Sequence, residues 1–328
     1  LALFGCDLGP RAIEPSQGPP LELVASDPAN GAGLDCDRTD PTCGVPTDVT
    51  LALSFDRFLL PDTAIRQSIT FYTGDPSNPV PPPSNTRPEL TPVYDLLTRT
   101  VRYALPPGLT LEPHALYTVE LPIYVKDTQP LGFRAFDGAP LAGTEPVRLS
   151  FFTGAGPGAP VPSNEVPTCE AFMNTLAGCG GSICHGREGL GPAMGLDLES
   201  ASELRATAVG RPAHQTEIGD TTGVADQDPA RFGANMPIID PGRPDNSYLM
   251  YKLLIGPEPY EPAPGTDCPP GDRCDVPAVE EFDRLRNWFV RGEPMPWLSN
   301  PEERFIHHDE ARLIQSFIAH GDACADSP

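Results

Sequence analysis

Short runs in which apolar and polar residues alternate recur between residues 21 and 155. In "VTLALSF" (49–55), Val49, Leu51, Leu53 and Phe55 fall on one face, the period-two spacing of a strand with one buried side. Val101 and Tyr103 of "RTVRYAL" (99–105) repeat the pattern, as do Tyr117, Val119 and Leu121 of "LYTVELP" (116–122). Further β-branched or aromatic runs are "LELVAS" (21–26), "SITFYT" (68–73), "ELTPVYD" (89–95) and "VRLSFFT" (147–153). Seven short strands between turn-forming clusters predict an all-β sandwich.

The period changes after "GAGPGAPVPSNEVP" (154–167), a Gly/Pro-rich stretch without apolar periodicity that reads as a linker. Beyond it the apolar residues recur at helical spacing in three islands. "TCEAFMNTLAGC" groups Phe172, Leu176 and Cys179, with Thr168 as N-cap. "AVEEFDRLRNWFVRG" groups Val279, Phe282, Leu285 and Phe289 and stops at Gly292. "HDEARLIQSFIAHG" groups Leu313, Ile314, Phe317 and Ile318 and stops at Gly321. The expected organisation is a tether over 1–20, a β-sandwich over 21–155, a linker over 156–166 and a mainly α domain over 167–328.

Composition adds three constraints. The 43 prolines predict long extended connections. The net charge of −23 repels phosphate backbones, so nucleic acid is excluded as a partner, and a basic protein partner suits the surface. Nine cysteines are too many for a reducing compartment unless they bind metal. The opening "LALFGC" resembles the end of a bacterial lipoprotein signal, which implies lipidation at Cys6 and an anchor to a membrane. The polar, Pro/Gly-rich stretch after it reads as a tether with reach.

The chemistry of the second half centres on "AGCGGSICHGREGLG" (177–191). A cysteine followed directly by histidine, Cys184-His185, is what covalent haem attachment requires, because the imidazole then falls beneath the iron. The other cysteine, Cys179, stands four residues further off than an adjacent pair would, and Gly180 and Gly181 in that spacer let it bulge. The same residues admit a local Cys179–Cys184 disulfide with His185 at the surface. A zinc site needs two further ligands, and no Cys or His pair stands at the usual spacing. A thiol nucleophile is a poor reading among neighbouring thiols in oxidising surroundings.

Two resemblances bear on these readings. "ASDPANGAG", "GVPTDVTLALSFDRFLLPDTA", "LTRTVRYALPPGLTLEPHALYTVEL" and "LSFFTG" resemble the Ig-like domains of bacterial surface-layer and envelope proteins, which implies a spacer or adhesion module. Two inserts depart from that family: "LDCDRTDPTCG", where Cys36 and Cys43 close a small ring, and the extended "YTGDPSNPVPPPSNTRP". From residue 168 onward, "CHGREGLGPAMGLDL", "IIDPGRPDNSYLMYKLL", "RGEPMPWLS" and "HHDEARLIQSFIAHGDAC" resemble, in that order, the c-type cytochrome domains of planctomycete and myxobacterial envelope proteins. The resemblance implies one covalent haem c attached through Cys179 and Cys184. His185 is then the proximal ligand, Met295 the distal one with Met236 as the alternative, and Pro192 orients the His185 ring through its backbone carbonyl. Leu190, Leu196, Leu198, Leu249, Leu253 and Trp297 are candidates for the crevice wall. His214, His307 and His308 are weaker ligand candidates, and His320 reads as a partner of helix C-terminal carbonyls.

Six cysteines remain under the haem reading. The expected pairs are Cys36–Cys43 and Cys268–Cys274, each within one insert, and Cys169–Cys324, which ties the first helix of the domain to the tail beyond the last, as the packing of terminal helices in small cytochrome folds implies. The functional expectation is a non-enzymatic monohaem lipoprotein of the bacterial cell envelope, periplasmic or on the outer-membrane surface. It acts as electron carrier or redox subunit and docks a redox partner protein or complex subunits. The alternatives are a haem-free, disulfide-stapled structural or adhesion lipoprotein and, more weakly, a peroxidase-like haem enzyme.

Overall fold

The computed structural model describes residues 18–35, 37, 40, 43–74, 90–125, 128–159, 166–177, 185–186, 192, 195–213, 232–233, 235–254, 279–288, 308–321 and 324. Outside them lie Cys6, Cys36, the Pro-rich insert from residue 75, Cys179, Cys184, His214, Cys268, Cys274, Met295, Trp297 and His307. The chain divides into two compact units, Leu1–Pro162 and Ser163–Pro328, with the division inside the Gly/Pro linker. No helix among the described residues is long and apolar enough to cross a membrane.

The first unit has seven strands: β1 (Leu23–Asp27), β2 (Leu51–Phe55), β3 (Thr70–Thr73), β4 (Thr91–Asp95), β5 (Thr100–Ala104), β6 (Leu116–Leu121) and β7 (Val147–Phe152). They form two antiparallel sheets in the orders β1-β2-β5-β4 and β3-β6-β7. Lettered A to G, these are A-B-E-D and C-F-G, the arrangement of a constant-type immunoglobulin sandwich. The register makes the apolar alternation effective. Leu51 faces Tyr103 and Leu53 faces Val101 across β2 and β5, and all four are buried. Val49 precedes β2 and stays half-exposed, so the buried stripe begins at Leu51. At the start of β6, Tyr117 accepts a hydrogen bond on its hydroxyl from the Glu112 amide at 3.0 Å. This is the tyrosine corner that fixes the crossing between sheets in this fold.

One end of the sandwich is closed by the β2–β3 and β6–β7 connections, which hold a buried ion pair. Arg57 forks onto Asp137, Nη2 to Oδ2 at 2.8 Å and Nη1 to Oδ1 at 3.3 Å. The guanidinium also donates to the Pro19 carbonyl, and Asp137 Oδ1 accepts the Ala139 amide at 3.1 Å. Arg134, from the same loop, is buried too but differently: its guanidinium lies 4.4 Å over the Tyr124 ring, and Nε and Nη1 have no hydrogen-bond partner among the described residues. Burial lowers its pKa from the ordinary arginine value, with Tyr124 and Asp62 acting the other way.

The chain enters and leaves this unit at opposite ends of β2. Residues 19–22 sit beyond the end of β2, where the Asp56 amide donates to the Glu22 carbonyl at 3.1 Å and the Leu21 amide to Pro140 at 2.9 Å. Residues 153–158 sit before its start: the Thr47 amide donates to the Gly156 carbonyl at 3.0 Å, and Asp48 Oδ1 accepts the Gly158 amide at 2.7 Å. The β1–β2 connection also runs along β7, with bonds from Gly31 to Ser150, Phe152 to Ala32 and Val45 to Phe152, and so covers a sheet edge. Gly44 makes this approach possible. Its φ is +93°, and a Cβ there would lie 2.5 Å from the Gly154 amide nitrogen. Cys43, immediately before it, is disulfide-bonded.

The second unit contains five helices among the described residues: α1 (Cys169–Leu176), α2 (Ala201–Thr207), α3 (Tyr248–Leu254), α4 (Val279–Trp288) and α5 (His308–Ala319). Thr168 caps α1 by accepting the Ala171 amide at 3.1 Å. Phe172 of α1 stacks on Phe317 of α5, centroids 3.9 Å apart. Beyond α5, Gly321 adopts φ +71° and His320 Nδ1 bonds to the Ser316 carbonyl at 2.8 Å. Helices α2 and α3 are additional to the three periodic islands. Every residue of α3 is buried, so it carries no amphipathic signature to read.

Two predictions follow from the buried polar groups of the first unit. Arg57→Met, which strands the Asp137 carboxylate, should cost about 3–5 kcal/mol in calorimetric unfolding, whereas Arg134→Met should be near neutral or stabilising. Tyr103, buried and donating to the Ile65 carbonyl at 2.8 Å, has its pKa pushed far above the ordinary 10.0 by loss of solvation. The folded state therefore keeps this proton while the unfolded chain releases it. That contribution is present below the unfolded pKa and fades as pH rises past it, so the urea midpoint should fall between about pH 10 and 12, and less so in Tyr103→Phe.

Candidate functional site

The site is built from the segment that follows the Cys-His motif. His185 is 7% exposed. Its ring nitrogen Nδ1 lies 3.1 Å from the Leu196 carbonyl oxygen. A carbonyl only accepts, so Nδ1 carries the proton of this bond, and in the neutral form of the ring the lone pair is then on Nε2. The backbone is held as well: the Leu198 amide donates to the His185 carbonyl at 2.8 Å. Residues 196 and 198 thus grip the histidine at ring and main chain together.

The Pro192 carbonyl has a different task from the one the cytochrome resemblance implies. It accepts the Gly195 amide at 3.1 Å, closing a turn that Gly195 completes with φ +77°. The carbonyl that meets the imidazole is that of Leu196, four residues further along the chain than Pro192. The contact is made by main chain, so no side chain advertised it; only the "GLDL" run itself pointed to the place.

Helix α2 secures the segment from the other side. Its N-cap is Ser200, whose hydroxyl accepts the Glu203 amide at 3.3 Å; Ser200 and Glu203 stand at capping-box spacing, the signal by which the helix was findable. Thr207, at its last turn, accepts the Asp197 amide on Oγ1 at 3.0 Å. The hydroxyl lies 2.8 Å from the Glu203 carbonyl and 3.1 Å from that of Asp197. Asp197 is buried, and its Oδ1 accepts the Glu199 amide at 3.1 Å. Arg205 of α2 donates to the carbonyl of Cys324. Cys324 is joined by a disulfide to Cys169 at the start of α1, across 155 residues of sequence.

Met236 is buried on a segment braced against the residues after α2. Its carbonyl accepts the Ala213 amide at 2.9 Å, and the Ile238 amide donates to Arg211 at 2.7 Å. The same segment opens α3, with Pro237 and Ile238 accepting the amides of Tyr248 and Leu249. Leu198, Leu249 and Leu253 are buried core residues and Leu196 is half-exposed. Among the described residues no three His, Cys, Asp or Glu side chains gather as a metal site. A buried imidazole whose Nδ1 is fixed on a carbonyl does suit ligation through Nε2, since the hydrogen bond sets both tautomer and ring plane.

The chain matches no family model and no curated protein. Among solved structures it is similar to the surface layer protein SbsC. Domains 1–6 of SbsC share 13% identity over 45% of this chain and 15% of that one, with a TM-score of 0.25. The N-terminal part of the bacterial S-layer protein SbsC shares 13% identity over 44% of this chain and 25% of that one, also with a TM-score of 0.25. The match thus spans a quarter or less of those chains.

The Cys169–Cys324 crosslink should contribute substantially to the second unit. Cys324→Ser is expected to lower its stability by about 2–5 kcal/mol. Both tryptophans of the chain, Trp288 and Trp297, belong to this unit, so urea unfolding followed by tryptophan fluorescence reads it alone.

Proposed function

We propose that the chain is a monohaem c-type cytochrome of the bacterial cell envelope, an electron carrier or redox subunit that carries an Ig-type module as spacer or docking element. The observation that supports this reading is the His185 ring: buried, adjacent to a cysteine, and held by Nδ1 on the Leu196 carbonyl. In this reading Cys179 and Cys184 would attach the porphyrin, His185 would ligate through Nε2, and Met295, with Met236 as the alternative, would supply a thioether sulfur. A haem c so held exchanges single electrons at its iron. Held by His185 and a methionine, the group would suit carrying electrons rather than transforming a substrate. Disulfides at Cys43 and between Cys169 and Cys324 fit an oxidising compartment. Lipidation at Cys6 would hold the protein at a membrane, and its acidity favours a brief contact with a basic redox partner.

The second reading, a haem-free structural or adhesion lipoprotein, draws on the Ig-type sheet order and the disulfides. One preparation separates the two. Periplasmic expression with haem maturation should give a Soret band and a mass increase of one porphyrin, both absent from the Cys179→Ala/Cys184→Ala double variant. A colourless protein with a sulfur–sulfur bond between Cys179 and Cys184 refutes the cytochrome reading. Met295→Ala is expected to abolish the sulfur–iron optical band and Met236→Ala to preserve it; the reverse result assigns the ligand to Met236.

A further inference from the structure

The Leu196 carbonyl that receives the His185 ring and the Asp197 amide that Thr207 receives belong to one peptide unit. The contacts therefore form a continuous chain: His185 Nδ1–H to Leu196 O at 3.1 Å, through the peptide, then Asp197 N–H to Thr207 Oγ1 at 3.0 Å. A peptide group whose N–H is engaged becomes a better acceptor at its oxygen, because hydrogen bonds in series polarise one another. The Thr207 hydroxyl is itself anchored, 2.8 Å from the Glu203 carbonyl within α2. The plane of the Leu196–Asp197 peptide is thereby fixed against a helix.

We propose that Thr207 is a positioning residue for His185, setting the orientation and donor strength of the imidazole through the Leu196–Asp197 peptide. The inference deepens the cytochrome reading and rests on it for its redox consequence, but the clamp itself is a property of the chain. Two features make Thr207 the controlling group. It touches both peptide units that flank the Asp197 α-carbon, accepting from the Asp197 amide and lying 3.1 Å from the Asp197 carbonyl. It also sits on the helix that Arg205 joins to Cys324, so the clamp is tied to the crosslinked part of the unit. A stronger acceptor at Nδ1–H makes the ring a more electron-rich ligand, which favours oxidised iron and lowers the reduction potential.

The test compares Thr207→Val, which keeps the shape and removes the oxygen, with Thr207→Ser, which keeps the oxygen. In the full chain without haem, solvent exchange of the His185 Nδ1 proton, followed by nitrogen-15 NMR, should quicken about five- to tenfold in Thr207→Val, as loss of one hydrogen bond's support implies. Thr207→Ser should exchange like the unaltered protein. In the haem-loaded chain the midpoint potential should rise in Thr207→Val and stay in place in Thr207→Ser. Unchanged exchange and potential in a Thr207→Val protein with native circular dichroism overturns the proposal, as does an equal shift in both variants. Should Thr207→Val fail to fold, a folded Thr207→Ala protein decides: the scalar coupling across the hydrogen bond from His185 Nδ1 to the Leu196 carbonyl should be weaker than in the unaltered protein, and an equal coupling in the two overturns the proposal. A chain that takes up no haem refutes the cytochrome reading alone, because the exchange experiment needs none.

Discussion

The candidate site of the second unit depends on one hydrogen bond, from the His185 ring to the Leu196 carbonyl. An imidazole can present either nitrogen, and without a partner it would rotate and exchange tautomers. A carbonyl at Nδ1 removes both freedoms. The surrounding elements serve that arrangement: the turn closed by Pro192 leads into Leu196, the Leu198 amide returns to the His185 carbonyl, and α2 holds Asp197 in place. A helix as short as α2, residues Ala201–Thr207, is marginal by itself. Its persistence depends on the Ser200 cap and on the Arg205 bond to Cys324. The disulfide from Cys324 to α1 therefore bears, through α2, on the geometry around His185.

The two units solve the problem of a proline-rich, acidic chain in different ways. In the first, paired strands satisfy the backbone and large apolar residues such as Phe55, Tyr103 and Phe151 fill the interior. The long β6–β7 connection is stabilised by a forked, fully hydrogen-bonded ion pair, Arg57 with Asp137. In the second, the helices are short and the backbone between them is tied by specific bonds, such as Gly242 to the Ile318 carbonyl and Gly210 to Ile239. Stacking of Phe172 on Phe317 brings the first and last helices together beside the crosslink.

The sequence disclosed these features unequally. Alternation at Leu51, Leu53 and Phe55 and at Tyr117, Val119 and Leu121 located strands to within a residue or two, because a half-buried sheet imposes period two directly on side chains. Helices α1, α4 and α5 have a polar side and were legible for the same reason. Helix α3, "YLMYKLL", is buried all round and leaves no contrast to detect. In the candidate site, the adjacency of Cys184 and His185 drew attention to His185, whose buried ring lies on the Leu196 carbonyl. The role of the Leu196 carbonyl and of Thr207 was not legible, because the first is a main-chain atom that every residue possesses and the second acts through another residue's amide. The resemblance pointed to the Pro192 carbonyl, which accepts the Gly195 amide, whereas the His185 ring lies on the Leu196 carbonyl.

The entry and exit of the chain at opposite ends of β2 carry a mechanical consequence. A pull between residues near Pro19 and residues near Gly158 is directed along the strands rather than across them. Bonds between antiparallel strands lie perpendicular to the strand axis, so such tension loads them in shear, several at once. The final strand is clamped besides by Gly31, Ala32 and Val45 along its edge. The sandwich is therefore suited to act as a stiff strut that resists extension instead of unzipping strand by strand.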